Sequence, residues 1–344
     1  MNKKAIIIIG LIVVLSFLAG IVLLFGKKGS KPATVVAPSQ GEIKKLSDDQ
    51  AISPVSSYDG SAVWYFTPDK RLFRVNIDGS GLSEFALPSL GENRLVSISW
   101  PTSGSDFIAV LDSKLGEVKV FYNSTDGKLV TLPPNIQSFD WLPDSKRIIY
   151  IWKSGDNAHQ QMSIADADAT GFRAITDVFW PDYTVKIAND GNQVLLYRSR
   201  IQGDNNKIYK FDLKTNQFQT LINEGINQWA MWLPGGNKFI FAQTDSAVYP
   251  RLFLYNMLTS QKTDLNINTA MDKIVLDSEG KFLYAAMPKK GNISDDFVKV
   301  DLTSFKQESY FQPPTDLKAT DLFLVGTKLY YVNSKDSKIY YISK

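Results

Sequence analysis

Ser138-Phe139-Asp140-Trp141-Leu142-Pro143-Asp144-Ser145-Lys146-Arg147-Ile148-Ile149-Tyr150 decides the fold, because degraded copies of it recur along most of the chain. An apolar-alternating run ending in Trp leads into a polar turn and then into β-branched and aromatic residues, the pattern of a β-hairpin. Copies centre on Tyr58-Asp59-Gly60, Thr102-Ser103-Gly104, Pro143-Asp144-Ser145, Asn189-Asp190-Gly191, Pro234-Gly235-Gly236, Ser278-Glu279-Gly280 and Leu324-Val325-Gly326. Taken at the last residue of each turn, the intervals are 44, 41, 46, 45, 44 and 46 residues. That is the length of a four-stranded blade, and seven copies predict an all-β, seven-bladed β-propeller.

Further strands follow each hairpin with a period of two, as in Ile208-Tyr209-Lys210-Phe211-Asp212-Leu213 and the short outer run Phe218-Gln219-Thr220-Leu221. The seventh copy supplies Lys328-Leu329-Tyr330-Tyr331-Val332 and Lys338-Ile339-Tyr340-Tyr341-Ile342 but no outer strand. Glu42-Ile43-Lys44-Lys45-Leu46-Ser47, ahead of the first blade, has the composition of one and no other partner. The ring is therefore expected to span residues 42–344 and to close by pairing its two ends, which removes an unpaired strand edge.

Residues 1–4 form a short basic N-terminus. Residues 5–25 (AIIIIGLIVVLSFLAGIVLLF) carry no charge over 21 positions, enough helix to cross a hydrocarbon core. They are read as a transmembrane anchor rather than a cleaved signal, since no small-x-small cleavage site follows closely. Residues 26–41, rich in Gly, Ser, Pro and Lys, are read as a flexible tether. The lysines on the two sides of the span nearly balance, and large domains are translocated largely regardless of loop charge. The expectation is a cell-membrane protein crossing once, with an extracytoplasmic propeller.

The net charge of +3 is carried at the N-terminus: Lys3, Lys4, Lys27, Lys28 and Lys31 all flank the apolar run. Setting those five aside leaves 33 basic against 35 acidic side chains, so the ring itself has no excess of positive charge. Nucleic-acid binding loses its electrostatic basis. Cysteine is absent, and with it any disulfide framework or thiolate metal site.

The Trp-x-Pro-Asp-Ser/Gly turn, best kept in Trp141-Leu142-Pro143-Asp144-Ser145 and Trp232-Leu233-Pro234-Gly235-Gly236, resembles the WD-repeat-like propeller repeat of the TolB type. Trp100-Pro101-Thr102-Ser103-Gly104 departs from it in the middle, and the last two copies keep only the Gly. The resemblance covers residues 42–344 and implies an extracytoplasmic binding platform, since fold alone does not fix function.

No Gly-x-Ser-x-Gly occurs, and the only histidine, His159, sits in a polar run that reads as a solvated loop rather than a general base. Asp166 and Asp168 offer oxygens for calcium, but they fall where Asp78, Asp126 and Asp212 cap repeat turns by accepting backbone N–H bonds. No catalytic residue, metal or cofactor is assigned. Trp100, Trp141 and Trp232 share one repeat position and are read as packed between blades. Trp180 and Trp229 break the pattern. Trp229 stands seven residues before Gly236, where the other copies carry Ser53, Ser97, Ser138, Thr184, Lys273 and Ala319. Trp180, Tyr183, Trp229 and Lys273 are therefore assigned to a partner-binding ring at one channel mouth, beside longer second-to-third-strand loops in blades three, four and six; the alternative is that Trp229 plugs the channel. The expected function is binding or scaffolding of an envelope protein or glycan. Alternatives are a lactonase- or glycan-lyase-type propeller enzyme using channel-mouth acids, and a small-ligand sensor.

Overall fold

The computed structural model describes residues 41–343 apart from 156–158, 180–181, 199–205, 245–248, 290, 292–293 and 315. Residues 5–25, the expected anchor, lie outside the described residues; among those described, no helix is long and apolar enough to cross a membrane. The described chain forms seven antiparallel four-stranded sheets, the blades of a β-propeller. Blade three is typical: Ile136–Trp141, Arg147–Lys153, Gln160–Asp166 and Arg173–Asp177 pair in sequence order from the inner strand outward. A sheet stacked between two others must be apolar on both faces, so second strands such as Arg147–Lys153 hold a continuous buried run, Ile148 to Ile151.

Buried side chains from both neighbours line the seams between blades. The seam of blades three and four holds Ile149, Ile164, Val185 and Val194, and that of blades six and seven holds Tyr284, Phe297 and Tyr331. The residue four after each turn, on the second strand, enters the seam toward the next blade. It is Ile108, Ile149, Leu195, Ile240, Tyr284 and Tyr330 in blades two to seven, all buried.

The three tryptophans at the end of inner strands pack as the sequence suggests, and each also bonds across a seam. The indole N–H of Trp100 donates to the Ser53 carbonyl at 2.9 Å, that of Trp141 to the Ser99 carbonyl at 3.2 Å, and that of Trp232 to the Lys186 carbonyl at 2.9 Å. An indole combines large apolar area with one donor, so it fills the gap and satisfies a carbonyl together. The repeat-turn aspartates also act as expected. Asp78 accepts the Ser80 N–H at 2.9 Å, Asp126 that of Lys128 at 3.1 Å, Asp168 that of Thr170 at 2.9 Å and Asp212 that of Lys214 at 3.0 Å.

Ring closure follows the N-terminal strand. Glu42–Lys45 pairs antiparallel with Lys338–Ser343, Glu42 opposite Ser343 and Lys45 opposite Tyr340, and completes blade seven as its outer strand. Just beyond it the Ser47 hydroxyl accepts the Ile339 N–H at 2.9 Å, a buried bond between residues 292 apart in sequence. Because an unmet buried N–H costs about 1–3 kcal/mol, Ser47→Ala should lower the unfolding free energy by about that amount. Deleting residues 1–48 should cost far more than deleting 1–40, and equal urea midpoints for the two truncations would remove the strand from any role in closure.

Candidate functional site

Several residues at the position seven before the turn, read above as the channel mouth, engage the seams instead. The inner strands of blades two, three and five shift register just before it, between Leu95 and Ser97, Ile136 and Ser138, and Asn227 and Trp229. Such bulges re-aim the following side chain. In blades one and three the residue there binds the next blade: the Ser53 hydroxyl accepts the Ile98 N–H at 2.9 Å and the Ser138 hydroxyl that of Val185 at 3.1 Å.

Three of the four residues assigned to a partner-binding ring are accordingly buried. Trp229 lies in the core shared with neighbouring blades, near Leu195 and Ala242. Tyr183 packs against Tyr209 with ring centroids 5.9 Å apart, and burial pushes its hydroxyl pKa upward. Lys273 ends a short 3-10 helix, Met271–Lys273, that takes the place of the start of an inner strand in blade six. Its ammonium meets both oxygens of buried Asp295 at 2.9 and 2.8 Å, and Asp295 also accepts the Ala319 N–H of blade seven at 2.7 Å. A buried lysine requires such a partner, and this one ties two blades together. Trp180 lies outside the described residues, as do parts of the long loops of blades three, four and six. His159 stands 3.3 Å from Asp177, half exposed. Among the described residues no group of three or more His, Asp or Glu is arranged to hold a metal ion.

Two cavities lie where sequence reasoning placed no site. The larger, about 610 Å³, opens between blades one and two. Blade one consists of Ile52–Ser56, Ala62–Phe66, Leu72–Asn76 and Ser83–Phe85. Its register sets Val55, Trp64, Arg74 and Ser83 opposite one another in a row across the sheet. Trp64 occupies the seam position that is buried in every other blade, and here it is only half-buried. The facing wall is Trp100, Pro101, Thr102, Ser103 and Tyr122 of blade two.

The turns also stand apart at this seam, as does that of blade seven at Gly326. Ser145 of blade three accepts the Ser103 N–H of blade two at 3.0 Å. A Cβ on Gly191 would stand 3.5 Å from Pro143, one on Gly236 3.5 Å from Asp190, and one on Gly280 2.7 Å from Pro234. The turns of blades two to six thus touch in series. Nothing lies within 4 Å of a Cβ placed on Gly60 or Gly104, so the turns of blades one and two stand apart at these glycines and the groove runs inward between them. At its mouth Tyr58 is 85% exposed, and Phe85 on the outer strand lies edge-on to Trp64 at 5.8 Å. Bonds from Ser57 and Ser61 hold Asp59 down to about 2, so it is ionised there.

The second cavity, about 550 Å³, lies at the ring centre among inner strands of blades one, two, six and seven, with Ser53, Trp100, Met271, Asp272 and Asp321 on its wall. Asp272 and Asp321 reach solvent yet are surrounded by protein, and this desolvation raises both carboxyl pKa values; the Asp272 charge adds to the shift of Asp321. The sequence signal for either cavity was local: a Trp where the other blades carry Ile, Leu or Tyr, and an Asp inside an inner strand.

No family model and no curated protein sequence matches the chain. Solved structures do. The β-propeller domain of Cps50 (Swd1) from Myceliophteria thermophila is similar with a TM-score of 0.62 at 10% identity, over 88% of this chain and 99% of that one. An oligogalacturonate lyase in complex with manganese gives 0.64 at 9% identity, over 88% and 93%. TolB from Acinetobacter baumannii gives 0.47 at 16% identity, over 88% and 79%. The first two likenesses show the propeller fold, on proteins with and without a named reaction.

Asp321 supplies a test of the central cavity. A raised aspartate pKa means that the folded chain holds the proton more tightly than the unfolded one. This group's contribution to stability is therefore greatest below the ordinary value of 3.8 and declines as pH rises through the folded value. Asn tolerates the left-handed backbone at this position, where φ is 46°. Asp321→Asn should melt above the wild type at pH 7, with the gap closing as pH falls toward 4; an equal gap at both would remove the charge from its environment.

Proposed function

We propose that this chain is a membrane-held propeller, its ring outside the cytoplasm, that binds an envelope protein or glycan and carries no catalysis of its own. The observation that supports this most is the groove between blades one and two. It is a preformed cleft lined by Trp64, Phe85, Trp100 and Tyr122, with polar groups convergent on it. Aromatic walls with a few placed polar groups suit recognition. The uncharged run at residues 5–25 supports the anchor.

Tyr58 and Trp64 are the contacts expected to matter. A Trp or Tyr at the centre of an interface commonly costs about 2 kcal/mol or more when truncated. Tyr58→Ala should therefore reduce recovery of the partner from crosslinked membranes by about tenfold or more, with an unchanged melting temperature, because its side chain supports nothing in the fold. Equal recovery would clear the groove of this role.

Attachment is checked separately. The intact chain should sediment with membranes and a fragment of residues 41–344 should not; a fragment that still sediments in high salt would place the attachment in the ring.

A propeller enzyme of lactonase or lyase type is the second reading, favoured by the paired acids Asp272 and Asp321 at the central cavity. Two carboxyls with raised pKa are the equipment of general acid–base chemistry.

A further inference from the structure

Arg74 lies in the wall of the groove with no carboxylate in ion-pair contact, although its charge reaches Asp59 and helps to keep that acid ionised. Its guanidinium donates to the Asn76 side-chain oxygen at 3.2 Å and to the Ser61 hydroxyl at 3.4 Å, both neutral acceptors and both at the long end of hydrogen bonding. Among the described residues no carboxylate lies within ion-pair distance of it, whereas Arg71 meets Asp69 at 2.7 Å and Lys186 meets Asp140 at 3.0 Å. Asp59, the acid that shares the groove, spends its oxygens on Ser57 and Ser61: Oδ1 accepts the Ser57 hydroxyl at 2.6 Å and the Ser61 N–H at 3.0 Å, and Oδ2 the Ser61 hydroxyl at 2.9 Å.

A guanidinium presents five donors in a planar fork that matches a carboxylate two bonds at a time, so Arg74 has capacity left for an anion. The groove around it sets aromatic rings among the hydroxyls of Ser56, Ser57, Thr102 and Ser103. Trp64 is its register neighbour on the second strand, and Leu72 and Phe85 oppose each other on the third and outer strands. At the outer edge Leu82 and Phe85 are 52% and 44% exposed. Exposed hydrocarbon of that kind gains from covering by side chains and gains little from sugar hydroxyls. Trp, Tyr and Arg gathered at one place are also the residue types on which protein interfaces depend most.

We propose that the groove takes an extended segment of a protein partner, with an Asp or Glu of that segment on the Arg74 guanidinium and a neighbouring aliphatic or aromatic side chain against Trp64 and Trp100. This rests on the reading of the groove as the binding site. The partner is defined by its chemistry: an acidic side chain beside an apolar one, in a chain extended enough to enter between two blades. Arg74 sets the sign of the charge accepted, and the aromatics set the requirement for an apolar neighbour.

The test is a charge exchange. The intact, detergent-solubilised chain is immobilised and exposed to a displayed library of short random peptides and, in parallel, to an array of neutral and acidic oligosaccharides. Wild type should enrich peptides carrying Asp or Glu close to an aromatic or large aliphatic residue. Arg74→Glu should enrich Lys or Arg at that place, and should bind the best acidic wild-type peptide at least about tenfold more weakly. Arg74→Gln should lose the charge preference and keep the apolar one. Matching melting temperatures of the two variants and wild type confirm that folding is not the cause; if Arg74→Glu is unstable, the Arg74→Gln selection decides alone. An acidic preference that survives in both variants overturns the assignment of Arg74. Oligosaccharides retained where peptides are not, with loss on Tyr58→Ala, overturn the protein assignment and leave the groove as a binding site. Retention of neither class overturns both.

Discussion

The seam between blades is the constraint on which the structure depends. A blade is a twisted sheet too small to bury both of its faces alone, so every blade must be sealed by a neighbour on each side. The seal has three layers in this ring. A second-strand residue fills the middle, an indole N–H or a serine hydroxyl bonds across near the channel, and the turns touch at one rim. Each buried Ile or Leu at the middle position contributes about 1.5–3 kcal/mol by leaving water. The cross-seam bonds add less but fix the stagger of each inner strand on the next, because only one register brings donor and acceptor together. The chain must still return to its start. The pairing of Glu42–Lys45 with Lys338–Ser343 is what turns a stack with two open ends into a ring without them.

Much of this was legible in the sequence, because seams repeat and repeats show. Blade number, turn positions, the closing strand and the packing of Trp100, Trp141 and Trp232 follow from spacing and from which residue types recur at each position. The mouth assignment for Trp229 and Lys273 rested on their shared place seven residues before the turn, which fixes a common direction only while the inner strand is regular. A bulge before Trp229 and a 3-10 turn at Lys273 break that regularity, and neither leaves a mark that composition reveals. Asp295 is the missing half of the Lys273 reading. It stands 22 residues downstream on the third strand, a distance across which sequence offers no cue that the two must meet.

Departures from the repeat then acquire meaning. In blade one the seam position is held by a bulky Trp64, its row neighbour on the third strand is Arg74, and the turn at Gly60 makes no contact of the kind that joins the turns of blades two to six. Arg74 is not unusual for its charge alone, since Lys210 and Lys299 sit opposite the seam residues of blades four and six. Lys299 lies 3.7 Å above the Phe282 ring and 4.0 Å from Glu308, so its charge is met within the blade. What separates blade one is the combination of a wide seam with a cation not met in that way.

The structural likenesses bear on why such departures are the place to look. Proteins 9% and 10% identical to this chain adopt a similar fold with TM-scores of 0.64 and 0.62. Seam packing accepts almost any apolar residue of suitable volume, as the use of Ile, Leu and Tyr at one position of this chain illustrates, so propellers diverge freely without losing the ring. Identity at that level carries the fold and leaves the function open. Exposed ion pairs at the surface add little stability either, which leaves the outer faces free to vary. A position that breaks the internal pattern is therefore measured against six others in the same molecule, under the same packing demands. By that measure Trp64 and Arg74 depart together and in one place. A departure that served packing would close the seam, and this one opens it.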